Sequence, residues 1–265
     1  FRETLSGSTV SVIDLGDDGH PVDTLQDLLN ATNYDAVYSI GAKALGSIDY
    51  IDPDMPVIFS SVLNWRRFHK QGNYYGIASE VAPEAQLTWF KYFFPEIKKM
   101  GVLHSGENSQ LIKDAHKSAK KLSLQLIVEE VASEEQLAIK ANELLPQVDA
   151  IWLVSDPVVL ASTMNAELLF NAAHKQRVPV FSYNSFFVDM GSVLSITADL
   201  PTIGRQAALL VRNILQKTGN GGPKQSESVQ FPAGSSISLN MEKLDHYNMT
   251  LNEEALDSVN EIVGE

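Results

Sequence analysis

Short runs of apolar, mostly β-branched residues alternate along this chain with longer stretches in which apolar positions recur at helical spacing. That alternation predicts parallel strands joined by helical crossovers. Strands are expected at Thr9–Leu15, Ala36–Ile40, Val57–Ser60, Tyr74–Ile77, Met100–His104, Leu124–Val131, Ala150–Val154, Val180–Tyr183 and Val193–Thr197. Most are apolar throughout and not alternating, as expected for strands covered on both faces. Helices are expected at Val22–Thr32, Pro83–Ile97, Ser109–Leu122, Glu134–Leu145, Val158–Gln176 and Pro201–Lys217. Pro83 and Pro201 stand where a first helical turn tolerates proline, and Ser133-Glu134-Glu135-Gln136 reads as a capping box. Lys98-Lys99 and Lys120-Lys121 are placed to close helices, where cations offset the dipole. The run Gly219-Asn220-Gly221-Gly222-Pro223 predicts an exposed turn.

Breaks near Ala78–Val81 and Ala198–Pro201 divide the pattern into two α/β lobes, 1–80 with 200–232 and 81–199 with 233–265. A chain of 265 residues is ample for two such cores. Its net charge of −13 argues against a nucleic-acid partner, since phosphate binding needs a basic footprint. The chain has no cysteine, which excludes disulfides, thiolate metal sites and thiol nucleophiles within it. No run of 18 uninterrupted apolar residues is present to suggest a membrane span.

Few catalytic patterns survive inspection. The pairs Gly41/Gly46 and Gly101/Gly106 lack the spacing of a dinucleotide or phosphate loop. Ser105-Gly106 follows a strand, but His104 stands where a nucleophile elbow requires glycine. Histidines 20, 69, 104, 116, 174 and 246 form no metal-ligand spacing; His116 and His174 belong to amphipathic helices. Asp17-Asp18 and Asp52-Asp54, flanked by glycine or proline, read as turn chemistry. No cofactor or metal is expected.

The segments that follow the strands are more informative, because ligands of parallel sheets sit beyond the strand C-termini. Gly41 and Ala42 follow one strand, and Ser60, Ser61, Asn64 and Trp65 the next. Ser105, Glu107, Asn108 and Ser109, then Asp156, Tyr183, Asn184 and Asp199, follow the later ones. Small hydroxyls, amides, one or two acids and aromatics suit a ligand carrying a carboxylate, an ammonium and an apolar body. The competing role for each Ser, Asn or Asp is helix capping, worth about 1 kcal/mol. Asp156, directly before Pro157, and Asp199, two residues before Pro201, are the candidate counter-ions for an ammonium. Trp65, Tyr183, Phe186 and Phe187 are candidates for an apolar wall, whereas Trp89 and Trp152 read as core.

Several segments in order resemble a known family. They are Tyr75-Gly76-Ile77-Ala78 through Pro83-Glu84-Ala85-Gln86-Leu87, Phe94-Pro95 and Met100-Gly101-Val102-Leu103-His104-Ser105. Val148 to Asp156, Val178 to Gly191, Gly204 to Ile214-Leu215 and Ser238-Leu239-Asn240 with a closing helix at Ala255–Val259 follow. Together they resemble the ABC-transporter substrate-binding proteins of the tryptophan/tyrosine type. The resemblance implies a type I periplasmic-binding-protein fold, two Rossmann-like lobes with parallel sheets, and a ligand in the inter-lobe cleft. It also implies no enzyme activity, a membrane ABC permease as partner, a periplasmic or extracytoplasmic location, and a monomer. An aromatic or apolar amino acid is the implied ligand, and a lipid-anchored precursor is compatible with the resemblance. Position by position, Ser105–Ser109 matches the loop that receives the carboxylate and Asp156 the acid that meets the ammonium. Ser60–Asn64 and Gly41–Ala44 match first-lobe cleft loops, and Asn184 and Asp199 line the rest. Pro157 after Asp156 departs from the family's usual amide. Phe1–Leu5 matches the end of the family's first helix, so the first strand is expected to be missing from this chain. The alternatives are a sensory module of the same fold and an α/β enzyme using Asp156 or His104 as acid–base.

Overall fold

The computed structural model describes residues 1–16, 22–68, 73–217 and 228–264. The chain falls into two compact units, Phe1–Glu80 with Ala198–Gly234, and Val81–Thr197 with Ser235–Glu265.

The first unit is built on four strands, β1 (Val37–Ile40), β2 (Val57–Ser60), β3 (Tyr74–Ile77) and β9 (Val229–Gln230), in the order β1-β2-β3-β9. All three pairings are parallel, with Val37 opposite Val57, Val57 opposite Tyr74 and Gly76 opposite Val229. Every residue of β2 and β3 is buried, which is why neither strand alternates. Helix α8 (Leu200–Lys217) packs across both, while α1 (Val22–Ala31) and α2 (Ala42–Ile51) pack on each other. Leu25, Leu29, Leu45, Ile48, Val57, Phe59, Val62 and Tyr74 form the core between them. Gly76 is dictated by this packing: a Cβ there would lie 2.5 Å from the Phe59 ring.

The second unit carries seven strands in the order β11-β10-β8-β7-β6-β4-β5. These are β4 (Lys99–His104), β5 (Gln125–Glu130), β6 (Ala150–Trp152), β7 (Val180–Ser182), β8 (Leu194–Ala198), β10 (Ser235–Asn240) and β11 (Glu261–Val263). The pairings β4–β5, β4–β6, β6–β7, β7–β8 and β10–β11 are parallel. Crossovers are α3 (Pro83–Phe93), α4 (Ser109–Lys121), α5 (Glu134–Leu144) and α6 (Thr163–Lys175), with short α7 (Phe186–Asp189) and α9 (Met241–Tyr247). One core gathers Leu103, Leu137, Leu144, Ile151, Leu169 and Phe170 among others. The rings of Phe90 and Phe94 each lie 5.1 Å from that of Phe181. Trp152 is core, its indole N–H donating to Gln86 Oε1 at 2.9 Å.

Several expectations need correction. Residues 9–15 form no strand: no strand among the described residues pairs with the segment, which places Ile13 and Leu15 against the first core and leaves Val12 exposed. Gly41–Ala44 is no open loop, because Ala42 begins α2, whose Leu45 and Ile48 face the core. Lys98 and Lys99 close no helix. α3 ends at Phe93, and the main-chain N–H groups of both lysines donate to Asp149 Oδ2 at 2.8 Å as β4 begins. The helix expected from Val158 starts at Thr163, where the Ser162 hydroxyl takes the Asn165 N–H. At Ser133 the hydroxyl takes no capping bond, although Gln136 reaches back to the Ala132 N–H at 3.3 Å. Ala255–Val259 lies in a 3-10 turn, Glu253–Ser258, not an α-helix. The Gly219–Pro223 turn, Asp17-Asp18, His20 and His69 lie outside the described residues.

Candidate functional site

In the second unit the parallel strands β4, β6 and β7 deliver their following loops to one edge of the sheet. Asp156 organises two of those loops. Its side chain is 2% exposed, and its Oδ2 accepts from Ser105 N–H at 2.7 Å, Ser105 Oγ at 3.0 Å and Asn108 Nδ2 at 2.8 Å. Its Oδ1 accepts from the N–H groups of Val158 and Val159, both at 3.0 Å. A carboxylate offers about four lone-pair positions, so five donors saturate it. Asn108 Nδ2 also reaches the Ser155 carbonyl at 2.9 Å, which ties the same loops a second time.

This arrangement gives Asp156 a structural role beside the ligand role expected for it. In this conformation it holds the 105–109 loop against the 155–159 loop. The hydroxyl of Ser105 is spent on Asp156, and that of Ser109 donates to the Gly106 carbonyl at 2.6 Å. Glu107 is exposed at the tip. Buried His104 places Nδ1 2.6 Å from the Ser105 carbonyl.

After β7, Asn184 Oδ1 accepts the Phe186 N–H at 2.9 Å and shapes the turn into α7. Tyr183 is half-buried with its ring 5.6 Å from that of Phe187, whereas the Phe186 ring is largely exposed.

In the first unit the ends of β1, β2 and β3 likewise meet at one sheet edge. Gly41, at φ 89°, caps α2 in a conformation that favours glycine, and its N–H donates to the Ser60 carbonyl at 2.9 Å. Buried Ser60 shares a 2.6 Å hydrogen bond with the Tyr38 hydroxyl, whose pKa burial raises. The following loop twice adopts the left-handed region, at Ser61 (φ 56°) and Asn64 (φ 50°), before the 3-10 turn Trp65–Phe68. Such backbone is costly and tends to cluster at ligand sites. Arg66 lies over the Trp65 ring, 4.7 Å from its centroid. Ile40 and Leu63 leave apolar surface exposed at this end of the sheet.

Asp199, the other candidate counter-ion, is a helix cap. Its Oδ2 accepts the Thr202 N–H at 2.8 Å and the Thr202 hydroxyl, and Arg205 lies 3.8 Å away. Those interactions, led by the Thr202 hydroxyl, lower its pKa.

One acid at these strand ends escaped sequence reasoning. Glu80 closes the segment after β3; it is 9% exposed, and its Oε1 accepts the Asn64 N–H at 2.8 Å. Burial raises its pKa, opposed by the Asn64 and Glu80 main-chain N–H groups and by the Arg66 charge. The available signal was an acid two residues after the apolar run Tyr75–Ala78, a position that reads equally well as a lobe boundary. A pair far apart in sequence also escaped it: the His174 and His246 rings stack at 4.6 Å. No group of three or more potential metal ligands occurs among the described residues, and no helix there is long and apolar enough to cross a membrane.

The model of the family described as ABC transporter substrate binding protein matches residues 16–263. The chain belongs to that family. It is a family of ligand-binding proteins rather than enzymes, and its members work outside the cytoplasm with a membrane transporter. Among solved structures, the ABC domain in complex with L-Trp from Streptococcus pneumonia is 19% identical at a TM-score of 0.64, covering 91% of this chain and 85% of that one. A substrate binding protein with adhesive properties from Clostridium difficile, in a ligand-free, open structure, is 14% identical at 0.67, covering 92% and 83%. A LacI family transcriptional regulator from Arthrobacter, in complex with lactose, is 16% identical at 0.52, covering 89% and 88%. At these identities the likeness shows the fold, that of the type I periplasmic-binding proteins. No curated protein matches the sequence.

Proposed function

We propose that this protein is the solute-binding component of an ABC importer and that it carries an aromatic or apolar amino acid. The observation that carries this reading is the pair of polar loop clusters at the strand C-termini, one in each unit. The first comprises Ser60, Ser61, Asn64 and Glu80; the second is the 105–109 loop fastened by Asp156. Pre-fastened loops lose little entropy on binding, which suits a receptor more than a structural module. Exposed Ile40, Leu63 and Phe186 supply apolar surface beside those polar groups. The L-Trp in the Streptococcus neighbour supports the ligand class.

Thermal shift of the purified protein against the twenty amino acids tests the assignment. Stabilisation by an aromatic or apolar member is expected; stabilisation by none removes the ligand class while leaving the family intact. A sensory role remains the second reading, favoured by the lactose-bound regulator of the same fold. An acid–base enzyme is disfavoured by the geometry, since His104 engages the neighbouring carbonyl and Asp156 is saturated by the donors of its own loops.

A further inference from the structure

Three acids stand at or just beyond the strand ends with their side chains wholly or partly withdrawn from solvent, and their bonding separates them. Asp156 accepts five internal hydrogen bonds. Asp199 caps the first turn of α8 through Thr202. Glu80 is different. Its carboxylate is held by the main-chain N–H groups of Asn64 and of Glu80 itself, which leaves acceptor capacity for further donors. Among the described residues Glu80 forms no ion pair within 4 Å; Arg66 acts on it only as a more distant charge. A buried carboxylate lacking a paired cation is expensive to keep, and such groups concentrate where a ligand supplies the missing charge.

Its neighbours fit that role. Asn64, which binds Glu80, belongs to the same loop as Ser60, Ser61 and Trp65. The ring of Trp65 lies against Phe59 at 6.2 Å and beneath Arg66 at 4.7 Å. An acid, a guanidinium, hydroxyls and an indole thus stand at the ends of adjacent strands, the complement of a zwitterion with an apolar side chain.

We propose that Glu80, not Asp156, receives the ammonium group of the bound amino acid. This deepens the function proposed above and rests on it. The ammonium replaces the cation that the fold does not pair with Glu80, and its N–H groups donate to the carboxylate oxygens.

The test is titration calorimetry of the whole chain and its Glu80→Gln variant with L-tryptophan and indole-3-propionate, which has the same ring and carboxylate but no amine. Wild type is expected to favour tryptophan by about 10- to 100-fold, the worth of a charge-assisted hydrogen bond. Glu80→Gln is expected to lose that preference while binding indole-3-propionate at least as tightly as wild type. Gln can still accept the Asn64 N–H, so the variant is expected to fold. Should it not, Glu80→Asp, which keeps the charge but retracts it, is expected to reduce the same ratio. A tryptophan preference unchanged in the folded variant overturns the Glu80 assignment alone. If tryptophan does not bind wild type, the amino acid found by thermal shift and its deaminated analogue replace the two probes. If no amino acid binds wild type, the amino-acid reading fails and this proposal with it.

Discussion

Replacing Asp156 by alanine separates a ligand contact from an architectural one, and the structure supplies the magnitude. The substitution removes the acceptor for five donors and leaves the buried N–H groups of Ser105 and Val159 and the partly buried one of Val158 without it. Asn108 Nδ2 keeps its bond to the Ser155 carbonyl, and the Ser105 hydroxyl is free to turn. Each buried donor left without an acceptor costs about 1–3 kcal/mol, and water entering the vacated space recovers part of it. Summed over the three main-chain N–H groups and reduced by what water recovers, the expected total is about 3–5 kcal/mol. For a unit of roughly 150 residues each kcal/mol lowers Tm by about 2–4 °C, so a fall on the order of 10 °C is expected. Asp156→Asn retains one accepting oxygen but turns an NH2 toward the donors on the other side, so it should lose more than half as much. Circular dichroism melts without ligand measure both variants. Hydrogen exchange should show protection lost at residues 105–109 and 156–160, the loops that Asp156 joins. A ligand-free Tm within about 1 °C of wild type, together with lost affinity for an amino acid, would refute this reasoning and return Asp156 to the ligand.

Glu80 and Gly76 yield two further predictions. Because burial raises the Glu80 pKa above its unfolded value, the stability it contributes is full below the unfolded pKa and is lost as pH rises through the folded one. Glu80→Gln should therefore raise ligand-free Tm at pH 8, with the difference shrinking toward zero by about pH 4, near the ordinary glutamate value; a lower Tm at pH 8 contradicts the burial argument. Gly76→Ala places a methyl 2.5 Å from the Phe59 ring and should destabilise the first unit by about 1–3 kcal/mol in urea melts, with no loss expected only if the ring moves aside.

Much of the fold was legible because apolar periodicity is a local property. β2 and β3 lie at Val57–Ser60 and Tyr74–Ile77, the limits expected from their unbroken apolar runs, and α3 and α4 begin at the expected Pro83 and Ser109. Failures came where a partner distant in sequence decides the outcome. Residues 9–15 have strand composition, yet no strand among the described residues pairs with them, so composition alone misleads. β9 is two residues long and exists through its pairing with Gly76 and Ile77. The helix Ala42–Ile51 follows a glycine that reads as a loop, and Leu45 and Ile48 are its two buried positions.

For the site, the order of residues supplies the inventory: which hydroxyls, amides and acids follow which strands, and the family to which their order belongs. How those groups are employed depends on contacts made after folding. Asp156 and Glu80 are both acids just beyond strands, and nothing in their immediate sequence says that one meets five donors and the other two main-chain N–H groups. That difference arises between segments about fifty residues apart at Ser105 and Asp156, and sixteen apart at Asn64 and Glu80. A carboxylate's role is set by the donors that surround it after folding, because desolvation makes each unmet or surplus hydrogen bond count.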